Sequence, residues 1–576
     1  MSRHISQKNN GIGHQPLGLE PVLSEDAYTY GLRSDGGTHG VVHTKPHIVD
    51  LILDLAGYCP ERNLSALRLL EPSCGEGAFL IHAVERLLKS SKLFKVSSKD
   101  LSAAILAFDI DTEHVAESRR KVADLVCQHG VSQDEAVRLA EEWVRQGDFL
   151  LGADPGRFDV VVGNPPYIRI EEFSAELQAE YRSRYSTLYD RADLYVAFIE
   201  RSLRLLNQKG ILSFICADRW TLNKYGAPLR RFITDTFHVS TYIDLHQASP
   251  FESEVIAYPS IFVIGREDLH SKTLVAKMKS ASKEECLSLG KYSREDGDSV
   301  EGVQIAFYDS WFIGEDPWVL SSPGQLSVLR DLESKFPLIE DDPYTYIRIG
   351  VATGNDSIFI VPKGVEIEAD RLVPLVMRED MIDGKVINNF RFIINTFEID
   401  KGVIDLQDYP KLMKYFELHE SALKKRHVAK KSEKNWFRTI DRVYPEMVKR
   451  PKLLIPDIAG SNEAVFESGH FLPHHNLYYI FSESWDLEVL GGLLSSRVAL
   501  FFVWSYAVKM RGGYLRFQAQ YLRRIRVPSM KSLSGSLQND IRTAFRQRDF
   551  QRLDDLAMRA YGIEELPQFD FVDTRK

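Results

Sequence analysis

Short apolar runs alternate with amphipathic stretches from about residue 40 to 265. The stretch Ile48-Val49-Asp50-Leu51-Ile52-Leu53-Asp54-Leu55 has the period of a half-buried helix, and Ala66-Leu67-Arg68-Leu69-Leu70 reads as a strand. Further strand candidates are Ala104-Ile105-Leu106-Ala107-Phe108, Asp159-Val160-Val161-Val162, Ile211-Leu212-Ser213-Phe214-Ile215 and Ile261-Phe262-Val263-Ile264. Helical segments such as Ile81 to Leu88 and Ala192 to Leu206 lie between them. This alternation predicts an α/β domain with a parallel sheet covered by helices.

After residue 265 the pattern breaks. Ser271 to Ser299 is polar and rich in Ser and Lys, which predicts a connector. Residues 340 to 530 mix short strand-like runs, aromatics and basic clusters without an internal repeat, and Leu537 to Tyr561 has helical composition. The expected organisation is an N-terminal arm over 1–30, an α/β domain over 31–270, a connector over 271–335, a second, mixed α/β domain over 336–530 and a helical segment over 531–576.

Composition narrows the class more than the activity. At 576 residues, with 44% hydrophobic and 27% charged residues, the chain has the balance of a soluble globular protein too long for one ordinary core. No apolar run reaches the roughly 20 residues of a membrane helix, and MSRHISQKNNGIGHQ lacks the apolar stretch of a secretory signal, so a cytoplasmic location and no membrane partner are expected. Cys59, Cys74, Cys127, Cys216 and Cys286 are scattered without a C-x-x-C pair or matching His cluster, so neither disulfides nor a metal are expected. A net charge of −9 confines any nucleic-acid surface to a local patch.

Four segments carry candidate chemistry. In Leu70-Glu71-Pro72-Ser73-Cys74-Gly75-Glu76-Gly77-Ala78, a Gly-rich turn between strand and helix lets a nucleotide-like ligand approach the backbone. Leu80 occupies the place of a third Rossmann glycine, and no phosphate-loop lysine is present. The next strand ends in Phe108-Asp109-Ile110-Asp111. Asp109 can accept hydrogen bonds from ribose hydroxyls, while Asp111 fits a helix N-cap. At Asp148-Phe149 an acid and an aromatic can hold an amino group and cover a purine ring; a solvated loop acid and a core Phe fit these two residues equally well.

The most specific signal is Asp159-Val160-Val161-Val162-Gly163-Asn164-Pro165-Pro166-Tyr167, a buried strand running into Asn-Pro-Pro-Tyr. An aromatic amine is a poor nucleophile because its lone pair is delocalised into the ring. The Asn164 side-chain oxygen and the Pro165 carbonyl can each accept one amine hydrogen, driving nitrogen toward tetrahedral geometry. Prolines hold that carbonyl in place beforehand, and Tyr167 can stack on the base.

These residues resemble the γ-class amino-methyltransferases of DNA modification systems, in particular the TaqI-like adenine methyltransferases with a C-terminal specificity domain. The resemblance covers most of the chain and implies a class I, Rossmann-like S-adenosylmethionine-dependent methyltransferase fold with a mainly parallel seven-stranded sheet. Gly40-Val41-Val42-His43-Thr44-Lys45-Pro46 looks like the segment that contacts the methionine part of the cofactor, with Thr44 at the matching position. Glu71, Gly75 and Gly77 match the cofactor loop, Asp109 the ribose acid, and Asp148 with Phe149 the adenine pair. In Asp193-Leu194-Tyr195-Val196-Ala197-Phe198-Ile199-Glu200, Phe198 matches the aromatic that faces the flipped target base. Cofactor segments first, catalytic motif next and specificity domain last is the γ-class order.

Ile347 to Asp356, Arg450 to Leu454 and Gly512-Gly513-Tyr514-Leu515-Arg516-Phe517 look like parts of that specificity domain, assigned to 336–530. Lys424, Lys425, Arg426, Lys430, Lys431 and Lys434 precede Trp436, Phe437 and Arg438, and Arg511, Arg516, Arg523, Arg524 and Arg526 form a second basic group. Two such groups interleaved with aromatics in an acidic protein favour phosphate contacts with double-stranded DNA. The resulting expectation is a monomeric type II modification enzyme methylating a flipped adenine at N6, with any cognate endonuclease on a separate chain, since about 40 residues before the first motif are too few for a nuclease. Asn-Pro-Pro-Tyr also occurs in methyltransferases of RNA amino groups and protein glutamine amides, and a non-catalytic DNA-binding subunit would keep the fold. Length and the basic domain favour DNA, and the complete set of site residues favours an enzyme.

Overall fold

The computed structural model describes residues 43–253, 258–266, 272–295, 300–308, 311–312, 314–319, 321–387, 390–398, 401–459, 462–507 and 515–569. The apolar runs of the first part fold as strands β1 (Leu69–Glu71), β2 (Ile105–Asp109), β3 (Val144–Gln146), β4 (Phe158–Gly163), β5 (Leu206–Ala217), β6 (His238–Asp244) and β7 (Pro259–Gly265). Helices α1 (Pro46–Leu55), α2 (Ala78–Phe94), α3 (Thr112–Gln128), α4 (Gln133–Trp143), α5 (Ala175–Arg184) and α6 (Tyr195–Arg204) alternate with them. Among the described residues, these strands and two more form one sheet in the order β3-β2-β1-β4-β5-β7-β6-β8-β9, with β8 spanning Thr273–Met278 and β9 Val303–Tyr308. β1 runs parallel to both β2 and β4, while β7 is antiparallel to β5 and β6.

The expected seven-stranded, mainly parallel sheet is therefore present and extended by two strands. The sequence reading of 271–335 as a connector is corrected here. Thr273-Leu274-Val275-Ala276-Lys277-Met278 pairs parallel with β6 and antiparallel with β9, and helix Lys283–Glu295 packs on α1. The first compact unit ends at Trp318, beyond an aromatic cluster in which Trp220, Trp311 and Trp318 are buried. β1 also begins later than expected, because Leu64–Ala66 forms a 3-10 turn ahead of it.

β4 reads Phe-Asp-Val-Val-Val-Gly and is covered on both faces, which is why it lacks polar alternation. The main core lies between this sheet and its helices, with Ile48, Leu51, Ile52, Leu69, Leu80, Val84, Leu87, Ile105, Val160 and Val162 all buried. Strand order reverses between β1, which leads outward to β2 and β3, and β4 on its other side. Such a switch point leaves a crevice at the carboxyl ends of the two strands.

The second unit begins at Val319. One antiparallel sheet has the order Thr345–Ile349, Leu477–Ser482, Lys452–Pro456, Val465–Glu467. A second comprises Ile360–Pro362, Arg391–Ile394, Leu372–Val376 and Leu472–Pro473. The helical segment expected at the C-terminus forms Gly535–Gln547 and Phe550–Tyr561, both packed on Leu487–Leu494 of this same unit. Among the described residues no single helix is long and apolar enough to cross a membrane. The expected arm over 1–30 lies outside the described residues.

Candidate active site

β1 delivers Glu71 to the crevice, and the chain then turns through Pro72 to Gly77 into α2. Gly75 and Gly77 have φ of 51° and 91°, the left-handed region where a Cβ is strained. The turn is tied down from three sides. The Cys74 N–H donates to the Phe108 carbonyl at 2.8 Å, the Ser118 hydroxyl donates to the Gly75 carbonyl at 2.7 Å, and the Gly75 N–H donates to Asp109 Oδ2 at 2.8 Å. A Cβ on Gly75 would meet no atom within 4 Å, so the turn faces open space. At its floor Glu71 is 1% exposed, and its Oε2 has no hydrogen-bond partner among the described residues. Burial, then the nearby Asp109 carboxylate, push the Glu71 carboxyl well above its usual range.

Asp109 closes β2 with Oδ1 accepting the Asp111 N–H at 3.0 Å and His114 Nδ1 3.4 Å away. Asp111 is the N-cap of α3, accepting from the Glu113 and His114 amides at 2.7 and 3.2 Å, so the two acids have separate roles. Asp148 accepts the Leu150 amide at 2.7 Å on Oδ1 and the Tyr181 hydroxyl at 2.7 Å on Oδ2. Its burial raises its carboxyl pKa, and these donors offset part of that rise. Phe149 forms an aromatic row with Phe108, 5.9 Å between centroids, and Phe198, 5.4 Å. The Arg201 guanidinium lies 4.9 Å from the Phe149 ring centre.

β4 brings Asn164, Pro165, Pro166 and Tyr167 alongside this cradle, because Leu69 and Leu70 of β1 stand opposite Val160 and Val161. The Ser73 hydroxyl donates to the Asn164 carbonyl at 3.3 Å, joining the two strand ends directly. The Asn164 side-chain NH2 donates to Thr44 Oγ1 at 3.4 Å, which fixes the amide plane and assigns Oδ1 to its other end. Thr44 is 4% exposed and pairs as an antiparallel bridge with Phe251. Four segments distant in sequence, around 44, 71–77, 164–167 and 251, thus converge.

The rings beside Tyr167 are Tyr195, 6.1 Å away edge-on, and Phe251, 6.4 Å away edge-on. Phe198 instead belongs to the Phe149 row. Phe251, beside Tyr167, was not among the residues singled out from sequence. Tyr195 sits three residues before Phe198 on α6 and lay within the segment already singled out; helical spacing alone does not tell which ring reaches which neighbour. Phe251 lies beyond β6 in a stretch without periodicity, and only its pairing with Thr44 brings it to the site.

The basic residues of the second unit divide into two kinds. Lys425, Lys430, Lys431 and Lys434 are exposed and have no acidic partner among the described residues, and Lys424, paired with Glu420 at 2.5 Å, lies 5.5 Å from the Trp436 ring centre. Arg426, in contrast, donates to the carbonyls of Leu423, Thr353, Trp436 and Arg438 and stacks on Phe359 at 4.8 Å. Desolvation and the like charge of Arg438 lower its pKa to about 10. Arg523 donates to Glu340 Oε2 at 2.6 Å and the Ile347 carbonyl at 2.9 Å. Both arginines, expected as phosphate ligands, thus place these donors on partners within their own unit. Arg524 lies 5.3 Å from the Tyr506 ring centre. Arg511 lies outside the described residues, as does the side chain of Arg516.

A strand-end cradle beside Asn-Pro-Pro-Tyr is followed by a separate C-terminal unit, and the chain belongs to the type II DNA methyltransferases of restriction-modification systems. Residues 80–251 match the Eco57I restriction-modification methylase family, and residues 380–527 the TaqI-like C-terminal specificity domain. The chain is 45% identical to the type II methyltransferase M.BstVI of Geobacillus stearothermophilus, covering 86% of this chain and 91% of that one. It is 42% identical to M.PaeR7I of Pseudomonas aeruginosa, covering 96% and 97%. Among solved structures it resembles the type IIL restriction-modification enzyme MmeI in complex with DNA, with a TM-score of 0.59 at 12% identity over 91% of this chain and 75% of that one. The fold is thus a Rossmann-like α/β methyltransferase sheet followed by a C-terminal mixed α/β specificity domain.

Proposed function

We propose that this DNA methyltransferase transfers the methyl group of S-adenosylmethionine to N6 of one adenine in a specific duplex sequence. On this reading it acts as a cytoplasmic monomer and protects DNA from a cognate endonuclease on a separate chain. The observation that carries the reading is the juxtaposition of Asn164-Pro165-Pro166-Tyr167 with the Glu71–Gly77 cradle across adjacent strand ends, joined by the Ser73 to Asn164 hydrogen bond.

The cradle fits this cofactor. Glu71 Oε2 is a buried acceptor without a donor among the described residues, on the strand that leads into the open Gly75 turn, and a cationic ammonium supplies what it lacks. Asp109 then takes the ribose hydroxyls, Asp148 the adenine amino group and Phe149 the adenine ring, while Thr44 lines the methionine end. When bound, the cofactor supplies an electrophilic methyl on a sulfonium.

The chain's own residues prepare the nucleophile. A target adenine rotated out of the duplex enters beside Tyr167, whose ring with Phe251 bounds the base. Asn164 Oδ1 and the Pro165 carbonyl accept the two N6 hydrogens and turn the lone pair toward the methyl carbon. Thr44 holds the Asn164 amide in the orientation this requires. The cofactor, held by Glu71, Asp109, Asp148, Phe149 and Thr44, would supply the methyl group and keep the electron pair of its sulfonium–methyl bond, while one N6 hydrogen held by Asn164 Oδ1 or the Pro165 carbonyl would leave as a proton to solvent. The exposed lysines near Trp436 supply phosphate contacts in the specificity domain.

The test is transfer of a labelled methyl group from S-adenosylmethionine to duplex DNA by wild type and Asn164→Ala. The reading expects transfer to be lost in the variant with cofactor affinity retained. Comparable turnover by Asn164→Ala contradicts the assigned role.

A further inference from the structure

Outside the active site, in the second unit, two adjacent histidines meet a carboxylate more than a hundred residues away in sequence. Asp356 Oδ2 lies 3.1 Å from His474 Nε2, and His475 Nδ1 lies 2.8 Å from that same nitrogen. All three ligand atoms fall within 4.8 Å of one another, close enough for one ion at bond lengths of about 2.0–2.2 Å to reach each of them. We propose that Asp356, His474 and His475 bind a divalent transition-metal ion, Zn2+ by preference, that ties together two segments of the specificity domain.

Hydrogen atoms alone satisfy this cluster poorly. A neutral imidazole nitrogen carries one hydrogen or one lone pair. If His474 Nε2 holds the proton, that single hydrogen faces both the Asp356 carboxylate and the His475 lone pair. If His475 Nδ1 holds it, the bare His474 Nε2 lone pair faces the carboxylate lone pair at 3.1 Å. A cation in place of the proton accepts all three lone pairs together. Asp441 and Asp457 add negative potential at His475.

The backbone sets this geometry without help from an ion. His474 bridges in parallel to Val351, the His475 N–H donates to the Val351 carbonyl at 3.1 Å, and the Gly350 N–H donates to the Leu477 carbonyl at 2.9 Å. On the Asp356 side, the Thr353 hydroxyl donates to Oδ1 at 2.5 Å and orients Oδ2 toward the histidines. His474 is 2% exposed while His475 is exposed, so the ion has a protein-facing floor and a side open to a water ligand. Two imidazoles, one carboxylate and an open position suit Zn2+ or Co2+ and disfavour Mg2+ or Ca2+, which prefer all-oxygen shells. Sequence spacing does not point to this set, because Asp356 opens the helix Asp356–Phe359 while His474 and His475 follow the strand Leu472–Pro473.

The full-length chain, stripped by chelator and dialysed, is titrated with Co2+ while its visible absorption is followed, and then with Zn2+. His475→Ala and Asp356→Asn are measured alongside. His475→Ala removes an exposed side chain, and far-UV circular dichroism reports whether each variant is folded. The proposal expects one Co2+ per wild-type chain, displaced by Zn2+, and at least about tenfold weaker binding in both variants, since losing even an outer-shell partner weakens metal sites that much. Wild type that binds no Co2+, or variants that keep its full affinity, overturns it; the three groups then share a proton and nothing more.

Discussion

Glu71 offers the sharpest quantitative handle on the cofactor site. Its carboxyl is buried near Asp109, its Oε2 has no partner among the described residues, and its pKa is raised well above 4.5, first by desolvation and second by the Asp109 charge. In the free protein it therefore holds a proton at a pH where the unfolded chain has released it. The folded pKa exceeds the unfolded one, so stability falls as pH rises from about 4.5 through the raised value. A cationic ligand reverses this preference by favouring the carboxylate. Below the raised pKa, binding then releases one proton, and affinity climbs about tenfold, or about 1.4 kcal/mol, per pH unit. Glu71→Gln removes the charge and keeps the shape. It is expected to stabilise the free protein toward heat at neutral pH while weakening S-adenosylmethionine by about 1.5–3 kcal/mol, on the order of 10- to 150-fold, the value of a hydrogen bond to a charged group. Calorimetric titration at several pH values, in buffers of different ionisation enthalpy, reads both the affinity and the proton count. A variant that binds as tightly as wild type with the same pH slope would refute the role of Glu71.

The other predictions concern separate parts of the molecule. Phe251→Ala removes a ring beside Tyr167 and is expected to lower methyl transfer on the order of 5- to 150-fold, the value of one base stack, with cofactor affinity unchanged; unchanged turnover would return the base-facing role to another ring. Lys430→Ala with Lys431→Ala is expected to reduce the slope of log affinity for DNA against log salt by roughly one per lysine, whereas Arg426→Ala should leave the slope intact and destabilise the fold on the order of 3 kcal/mol in urea. Lys452 is fully buried, with Nζ donating to Glu467 at 2.7 Å and to the Phe471 carbonyl at 3.1 Å. Glu467→Gln strands that charge and should cost about 3–5 kcal/mol in denaturant unfolding, while a well-packed apolar replacement of both residues should cost much less.

Much of the first unit was legible because its central strands are largely buried on both faces and read as near-continuous apolar runs. Phe158 to Gly163 and Ile211 to Ile215 are of this kind, and the turns after β1 and β4 carry residues with few structural substitutes. β8 and β9 were not legible. Val303–Tyr308 is an edge strand whose residues are only half covered, and both strands flank the polar text around Lys283. In the site, residues adjacent to a strand end were found from sequence, whereas Phe251 depends on a bridge to Thr44 formed across a long separation. The basic residues show a further limit. Composition counts Arg426 and Arg523 with Lys430 and Lys431, but only the fold reveals that the two arginines spend their donors on internal carbonyls and on Glu340. The same holds for His474 and His475, which look like ordinary neighbours until Asp356 is placed beside them.

The central claim is tested most directly by incubating purified protein with S-adenosylmethionine and varied genomic DNA, then scoring N6-methyladenine at single-base resolution by sequence context. The account predicts methylation of one adenine position in one recurrent motif, absent from DNA treated with Asn164→Ala. Methylation of cytosine instead, or no DNA methylation by a protein that binds the cofactor, would contradict it.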